Sequence, residues 1–277
     1  MPGSDAEMIA ARDAARFADD ARLVRDAIVE AGALALDFYE KGARSWTKGN
    51  QSPVTEADIA VDELLKDRLL SARPDYGWLS EEIADTPERL GKRRLFVVDP
   101  IDGTRAFVER VPQWTISIAI VEDGRPIVGA LLTPTTGQHF CAEAGGGARL
   151  NGQPIRISTR SDLLGARLAG PKKFMSDARL KLAGAVNVPW IYSLALRFAR
   201  VAAGELDGAF ARSGAHDWDL AAADLLVHEA GGRLSTLAGE KPRYNLPEPR
   251  HGVLVAAGPG LHGELSRRMT DDLPTGA

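Results

Sequence analysis

Cysteine is almost missing from this chain. Cys141 is the single one, so no intramolecular disulfide can form, and a reducing cytoplasm is the expected setting. An excess of one charge is missing too. Against 34 Lys and Arg stand 38 Asp and Glu, a net charge of −4, so no general electrostatic pull towards nucleic acid or an acidic membrane is expected. No apolar run approaches the ~18–20 residues of a membrane span. Met1 to Met8 is polar and acidic rather than a basic lead-in to an apolar stretch, so a soluble, unexported protein is expected. Internal repeats and low-complexity linkers are absent as well. What is present is ordinary globular composition, 44% hydrophobic and 26% charged over 277 residues. That length suits one large domain or two intimate subdomains with a sizeable core.

Apolar residues fall at helical spacing from about Ala10 to Tyr39, through Phe17, Leu23, Val24, Ala27, Ile28, Ala31, Leu34 and Phe38, with Gly42 as a stop. Ser52 to Asp58 reads as an extended lead-in to a second helix, whose buried stripe is Ile59, Val61, Leu64, Leu65 and Leu69. Arg94 to Val98 is a buried strand; Trp114 to Val121 and Pro126 to Leu132 are two more, joined by the hairpin signal Glu122-Asp123-Gly124-Arg125. Phe140 and Leu150 sit in further strand regions split by Gly145-Gly146-Gly147. After Ile157 short strands (167–169, 209–211, 253–256) alternate with helices (190–203, 217–230, 261–269), and the tail 270–277 reads as frayed. Strands and helices mixed without strict βα alternation favour a layered α+β fold.

The segment Val97-Val98-Asp99-Pro100-Ile101-Asp102-Gly103-Thr104 carries the chemistry. A buried strand ending at Asp99 delivers one carboxylate to its C-terminal edge, where Pro100 opposes simple continuation of a paired strand. Asp102 follows into the same space, and Gly103-Thr104 opens a helix whose free N–H groups suit an anion. Two carboxylates beside phosphate-binding donors meet the needs of metal-assisted phosphoryl transfer. An acidic turn with Asp102 as helix cap explains the same string equally well. Glu81-Glu82 closes the apolar run Tyr76–Leu79 and reads equally as solvated surface. Asp219 and Asp58, each in the first turn of a helix, read equally as partners of the helix dipole.

In combination these segments say more. Glu81-Glu82, Asp99-Pro-Ile-Asp102-Gly-Thr104 and Trp218-Asp219, in this order and spacing, resemble the inositol monophosphatase superfamily. The likeness runs from Val54-Thr55-x-x-Asp58 to Glu229-Ala230-Gly231-Gly232. The resemblance implies an α+β, layered α/β/α/β/α sandwich. Residues 1–156 would form an N-terminal α+β subdomain carrying most metal ligands, and 157–277 a C-terminal α/β subdomain carrying Asp219 and substrate contacts. It implies a Mg²⁺-dependent phosphomonoesterase with two or three ions. Glu81, Asp99 and the Ile101 carbonyl would hold one; Asp99, Asp102 and Asp219 the second. Thr104 with Asp58, alongside Glu81, would orient the attacking water. Asp102, Gly103, Thr104, Ser193, Arg212, Arg105 and Lys48 would contact substrate, Lys48 on a weaker match. The acids independently ask for cations: two unit charges ~4 Å apart repel by roughly 4 kcal/mol at an effective dielectric of ~20. All-oxygen ligands suit Mg²⁺, and the five histidines show no zinc spacing. His216 alone is placed near the site, in a structural role.

For the substrate, Arg105 stands where inositol monophosphatases carry an uncharged residue, and Ala211-Arg212-Ser213 where they carry a glutamate. Arg212 reads equally as a surface arginine after a strand or as a grip on a second phosphate. The leading expectation follows the latter, a 3′(2′),5′-bisphosphate nucleotide such as 3′-phosphoadenosine 5′-phosphate, with AMP as product. Inositol 1-phosphate and histidinol phosphate are the alternatives. A non-catalytic role as a partner in transcription or RNA processing, known in that superfamily, is disfavoured because every matching acid is present. A small phosphorylated metabolite is the expected partner, with neither nucleic acid nor membrane. Homodimerisation is common in the superfamily, although no interface stripe is legible.

Overall fold

The computed structural model describes residues 5–47 and 53–270. Helix α1 (Asp5–Lys41) leads to a ribbon of β1 (Ser45–Thr47) and β2 (Pro53–Thr55), then to α2 (Glu56–Ala72). A seven-stranded sheet follows in chain order: β3 (Gly77–Ser80), β4 (Arg94–Asp102), β5 (Thr115–Glu122), β6 (Arg125–Thr133), β7 (Gln138–Glu143), β8 (Gly147–Leu150) and β9 (Gln153–Pro154). A short α3 (Thr104–Val108) lies between β4 and β5. Strands β10 (Arg167–Ala169), β11 (Val186–Asn187), β12 (Gly208–Ala211), β13 (Arg233–Thr236) and β14 (Leu254–Ala257) form a second sheet ordered β11-β10-β12-β14-β13. Its helices are α4 (Lys172–Met175), α5 (Ala178–Leu182), α6 (Leu194–Ala202), α7 (Asp217–Glu229) and α8 (Pro259–Thr270).

Strand periodicity builds the layers. On β4, Phe96 and Val98 point to one face and meet Val24 and Ile28 of α1 and Leu65 and Leu69 of α2. Leu95 and Val97 point to the other and join Leu196 and Phe198 of α6, Leu226 of α7, and Ala209 and Ala256 of the second sheet. Beyond that sheet, Leu168, Phe210 and Val255 pack on Leu261 and Leu265 of α8. The result is the expected α/β/α/β/α sandwich. Both faces of the large sheet are covered, which is why β5 is buried at all eight positions. Helix α7 lies unusually close to β6: a Cβ on Gly129 would stand 3.0 Å from the Ala222 carbonyl oxygen. The central helix is thereby held against the sheet whose strand β4 carries Asp99 and Asp102.

Two local expectations need correction. Strand β4 does not end at Asp99. Its pairing with β5 breaks after Asp99↔Ser117 and resumes at Asp102↔Thr115, so Pro100 and Ile101 bulge out between the two acids. The helix expected over 190–203 starts only at Leu194, because the Ser193 hydroxyl caps it, accepting from the Leu196 amide at 2.9 Å. Strand β13, the short edge strand β11 and helices α4 and α5 carry too few periodic residues to be anticipated. Lys48 and residues 271–277 lie outside the described residues.

Candidate metal centre and active site

The β4 bulge places Asp99 and Asp102 side by side with Asp219 of α7; an oxygen from each lies within 4.8 Å of the others. Asp99 is buried, and its Oδ1 accepts from the Ile101 amide at 3.0 Å. Its Oδ2 is buried with no hydrogen-bond partner, a costly state for a carboxylate oxygen unless a cation or proton meets it. Burial, then Glu81, Asp102 and Asp219, hold its pKa well above the ordinary carboxylate range. Desolvation pushes Asp219 up to about 7, with Asp102 adding to the shift. Burial raises Asp102 also, opposed by the donors it collects. Three hard carboxylates crowded together, one with an orphaned oxygen, fit a divalent cation of the Mg²⁺ type.

Each acid is set by its element. Asp102 accepts from the Ser193 hydroxyl at 2.5 Å and from the Ala195 and Leu194 amides at 2.6 and 3.3 Å. It therefore anchors the start of α6 as well as facing the cluster. Asp219 is the third residue of α7 and accepts from the His216 amide at 2.7 Å. The His216 ring stacks on Trp218 at 4.4 Å, the structural role expected of it. Glu81 follows β3 and is near enough to raise Asp99, but stands outside the 4.8 Å group.

Next to the acids, the Thr104 hydroxyl lies 3.3 Å from Asp58 Oδ1 and 3.1 Å from the Ile101 carbonyl oxygen. Asp58 Oδ2 accepts from the Thr55 amide at 2.8 Å and the Thr55 hydroxyl at 2.6 Å, closing a capping box on α2. Burial lifts Asp58 to about 6. Gly103 joins β4 to α3 in the left-handed region at φ 95°; a Cβ there would stand 3.1 Å from the Gln113 oxygen and 3.2 Å from the Ser193 amide nitrogen. The phosphate-binding residue expected at 103 thus has a steric reason to be glycine. Arg212 is exposed just past β12, within electrostatic reach of Asp219. Arg105 is exposed on α3 and acts electrostatically on Tyr192.

Several groups around the site have no signature in the sequence. Arg197 of α6 is 3% exposed, donates to the Phe210 and Ile191 carbonyls at 3.1 and 2.8 Å, and feels the Asp102 charge. Desolvation lowers it to about 10. Asp62 is buried behind Glu81-Glu82, accepts from the Ser80 hydroxyl at 2.8 Å, and is raised by burial to about 7. Asp217 is buried too, holding His251 Nε2 at 2.7 Å and the Asn245 amide at 2.8 Å. Its carboxylate is engaged at the start of α7, and its charge also raises Asp219.

The family model for the inositol monophosphatase family matches residues 19–272. An inositol-1-monophosphatase of Rhizobium meliloti (strain 1021) is 34% identical over 217 residues, 74% of this chain and 81% of the relative. A histidinol-phosphatase of Mycobacterium tuberculosis is 36% identical over 236 residues, 80% and 86% of the two chains. The Nus factor SuhB of Escherichia coli (strain K12) is 33% identical over 255 residues, 88% and 93%. The solved Thermotoga maritima IMPase superposes with a TM-score of 0.81 at 26% identity, covering 91% of this chain and 97% of that one. With the acid cluster of β4 and α7 in place, the chain belongs to the inositol monophosphatase family and is a metal-dependent phosphoric monoester hydrolase.

Proposed function

We propose that this chain hydrolyses a phosphomonoester of a small metabolite with Mg²⁺, and that its preferred substrate carries a second phosphate, as in 3′-phosphoadenosine 5′-phosphate. The observation that carries the first part is the Asp99, Asp102 and Asp219 group with its unpartnered Asp99 Oδ2. Glu81, Asp99, the Ile101 carbonyl, Asp102 and Asp219 would hold the ions. Bound Mg²⁺ neutralises phosphate oxygens and makes a water easier to deprotonate. Thr104, whose hydroxyl lies 3.1 Å from the Ile101 carbonyl oxygen and 3.3 Å from Asp58 Oδ1, would turn its proton to Asp58 and present its lone pair to the attacking water. Asp58, lifted to about 6, remains mostly ionised at neutral pH and serves as the acceptor behind Thr104. The amides of Gly103 and Thr104 would steady the phosphate.

The second part rests on Arg212. Ala211 ends β12 buried, where an inositol-type enzyme would offer glutamate, and Arg212 follows it, exposed and close enough to act on Asp219. A guanidinium there rewards a second phosphate with charge-assisted hydrogen bonds, about 1.5–3 kcal/mol when partly desolvated. Expected is a roughly tenfold to hundredfold higher kcat/KM for the bisphosphate than for inositol 1-phosphate or histidinol phosphate. Arg212→Ala should erase most of that preference and spare a simple monophosphate. The similarity to the Rhizobium inositol-1-monophosphatase supports a second reading; wild-type selectivity for inositol 1-phosphate in Mg²⁺-dependent phosphate release would establish it and sink the first.

A further inference from the structure

A cavity of about 750 Å³ opens between β6, α7, β13 and α8, lined by none of the proposed metal ligands. That is ample for a small organic ligand. Its walls include the apolar side chains of Ile127, Leu225 and Leu234. Among them stands Asp224, whose Oδ2 accepts from the Tyr244 hydroxyl at 3.0 Å. Among the described residues its Oδ1 takes no hydrogen bond, and it is not sealed from solvent. Arg125, Lys241 and His251 act on this carboxylate from a distance, but none donates to it, so its second oxygen can still take a hydrogen bond from a donor entering the cavity. On the rim, Lys241 and Arg233 are exposed cations. Glu229, the other acid of the lining, spends both oxygens on the Gly145 and Gly147 amides at 3.0 and 2.9 Å. With Glu229 engaged, the exposed charge at the mouth, from Lys241, Arg233 and Arg125, is positive, and the Asp224 acceptor lies within.

The cavity is tied to the catalytic acids by two routes. Asp224 and Asp219 share helix α7, five residues or about 7.5 Å of rise apart. Tyr244, which grips Asp224, is followed by Asn245, whose amide donates to Asp217 at the start of the same helix at 2.8 Å. The Asn245 side chain in turn accepts from buried Arg89 at 2.7 Å. A ligand drawing on Asp224 thus acts on the strap that fixes the first turn of α7, where Asp219 sits.

We propose that this cavity is a regulatory site for an organic anion with an apolar body and a hydrogen-bond donor, the donor meeting Asp224 and the anionic group meeting Lys241 and Arg233. A fitting probe is 4-aminophenylphosphonate, which has an amine, a ring and a non-hydrolysable dianion. It is titrated calorimetrically into the full chain with Mg²⁺, in wild type, in Asp224→Ala, in the rim variant Lys241→Glu/Arg233→Glu, and in Asp99→Asn. Binding should weaken about tenfold or more in the first two variants and persist in Asp99→Asn. In steady-state assays of phosphate release, the probe should change wild-type kcat at least about twofold and leave kcat of the rim variant unmoved. The rim residues are exposed, so that variant keeps the test valid if Asp224→Ala does not fold. Binding lost in Asp99→Asn but kept in the rim variant would put the probe on the catalytic metals and overturn the site. Absence of saturable binding at millimolar probe would overturn it equally, and binding at the cavity without any change in kcat would overturn the regulatory role.

Discussion

At the start of α2, Asp58 is the third helical residue and accepts from the Thr55 amide at 2.8 Å; at the start of α7, Asp219 is the third and accepts from the His216 amide at 2.7 Å. Both are capping carboxylates, and desolvation raises both, to about 6 and about 7. They differ in where the other oxygen goes. Asp58 Oδ1 meets the Thr104 hydroxyl, whereas Asp219 contributes to the cluster with Asp99 and Asp102. A helix cap engages one oxygen and leaves one for chemistry, so the capping and catalytic explanations of such an acid are compatible. The surroundings then decide between orienting a hydroxyl and holding a cation.

The comparison breaks most visibly under substitution. Asp219→Asn keeps an oxygen for the His216 amide but removes the charge facing the cluster. Turnover should fall by roughly two to three orders of magnitude, and most of the Mg²⁺-induced rise in Tm should vanish. Full activity with an unchanged Mg²⁺ response would remove Asp219 from the metal centre. Thr104→Ala tests the other acid through its partner. Here kcat should drop about a hundredfold or more while most of the Mg²⁺ stabilisation stays. Parallel loss of both would mean that Thr104 supports the metal rather than the water.

Protonation distinguishes the two sites next. A carboxyl raised in the folded state gives stability that is complete below its unfolded value near 3.8 and is lost as pH climbs through the folded value. Metal-free protein should therefore lose this contribution between about pH 4 and 7. His216 and His262, lowered mainly by desolvation, work in the opposite direction. The clean observable is the Tm difference between Mg²⁺ and chelator at each pH. It should widen from about pH 5 to 8 as the cluster ionises and binds metal more tightly, and Asp219→Asn should flatten that rise. A difference independent of pH would contradict carboxylate ligation.

Layers and principal strands were legible because burial writes periodicity into the chain: Phe96 and Val98 face α1 and α2, while Leu95 and Val97 face α6 and α7. The string from Asp99 to Thr104 was legible through its residue types. The bulge that makes both acids face one point was not, because Pro100 signals interrupted pairing but not its resumption at Asp102. Arg197 was hidden for a different reason. In sequence it is one more charge on a helix, and only the fold turns it inward to the carbonyls of Phe210 and Ile191. Asp62 and Asp217 likewise depend on partners distant in the chain, Ser80 for one and Asn245 with His251 for the other.

The smallest expected effects compare the two caps themselves. The Thr55 hydroxyl donates to Asp58 Oδ2 at 2.6 Å while accepting from the Ala57 amide at 3.1 Å. Thr55→Ala should cost about 1 kcal/mol of stability, and should also reduce kcat by loosening Asp58 behind Thr104. His216 holds Asp219 through its backbone amide, which survives any side-chain change. His216→Ala therefore loses the ring stacked on Trp218 at 4.4 Å and its Nδ1, 3.9 Å from Asp219 Oδ2, the stacking being worth about 0.5–1.5 kcal/mol. Its kcat should stay within about threefold of wild type, less than the tenfold that 1.4 kcal/mol would produce. Denaturant midpoints and steady-state rates on both variants test the contrast. A larger catalytic loss in His216→Ala than in Thr55→Ala would show that the imidazole, not the amide beneath it, holds Asp219 in place.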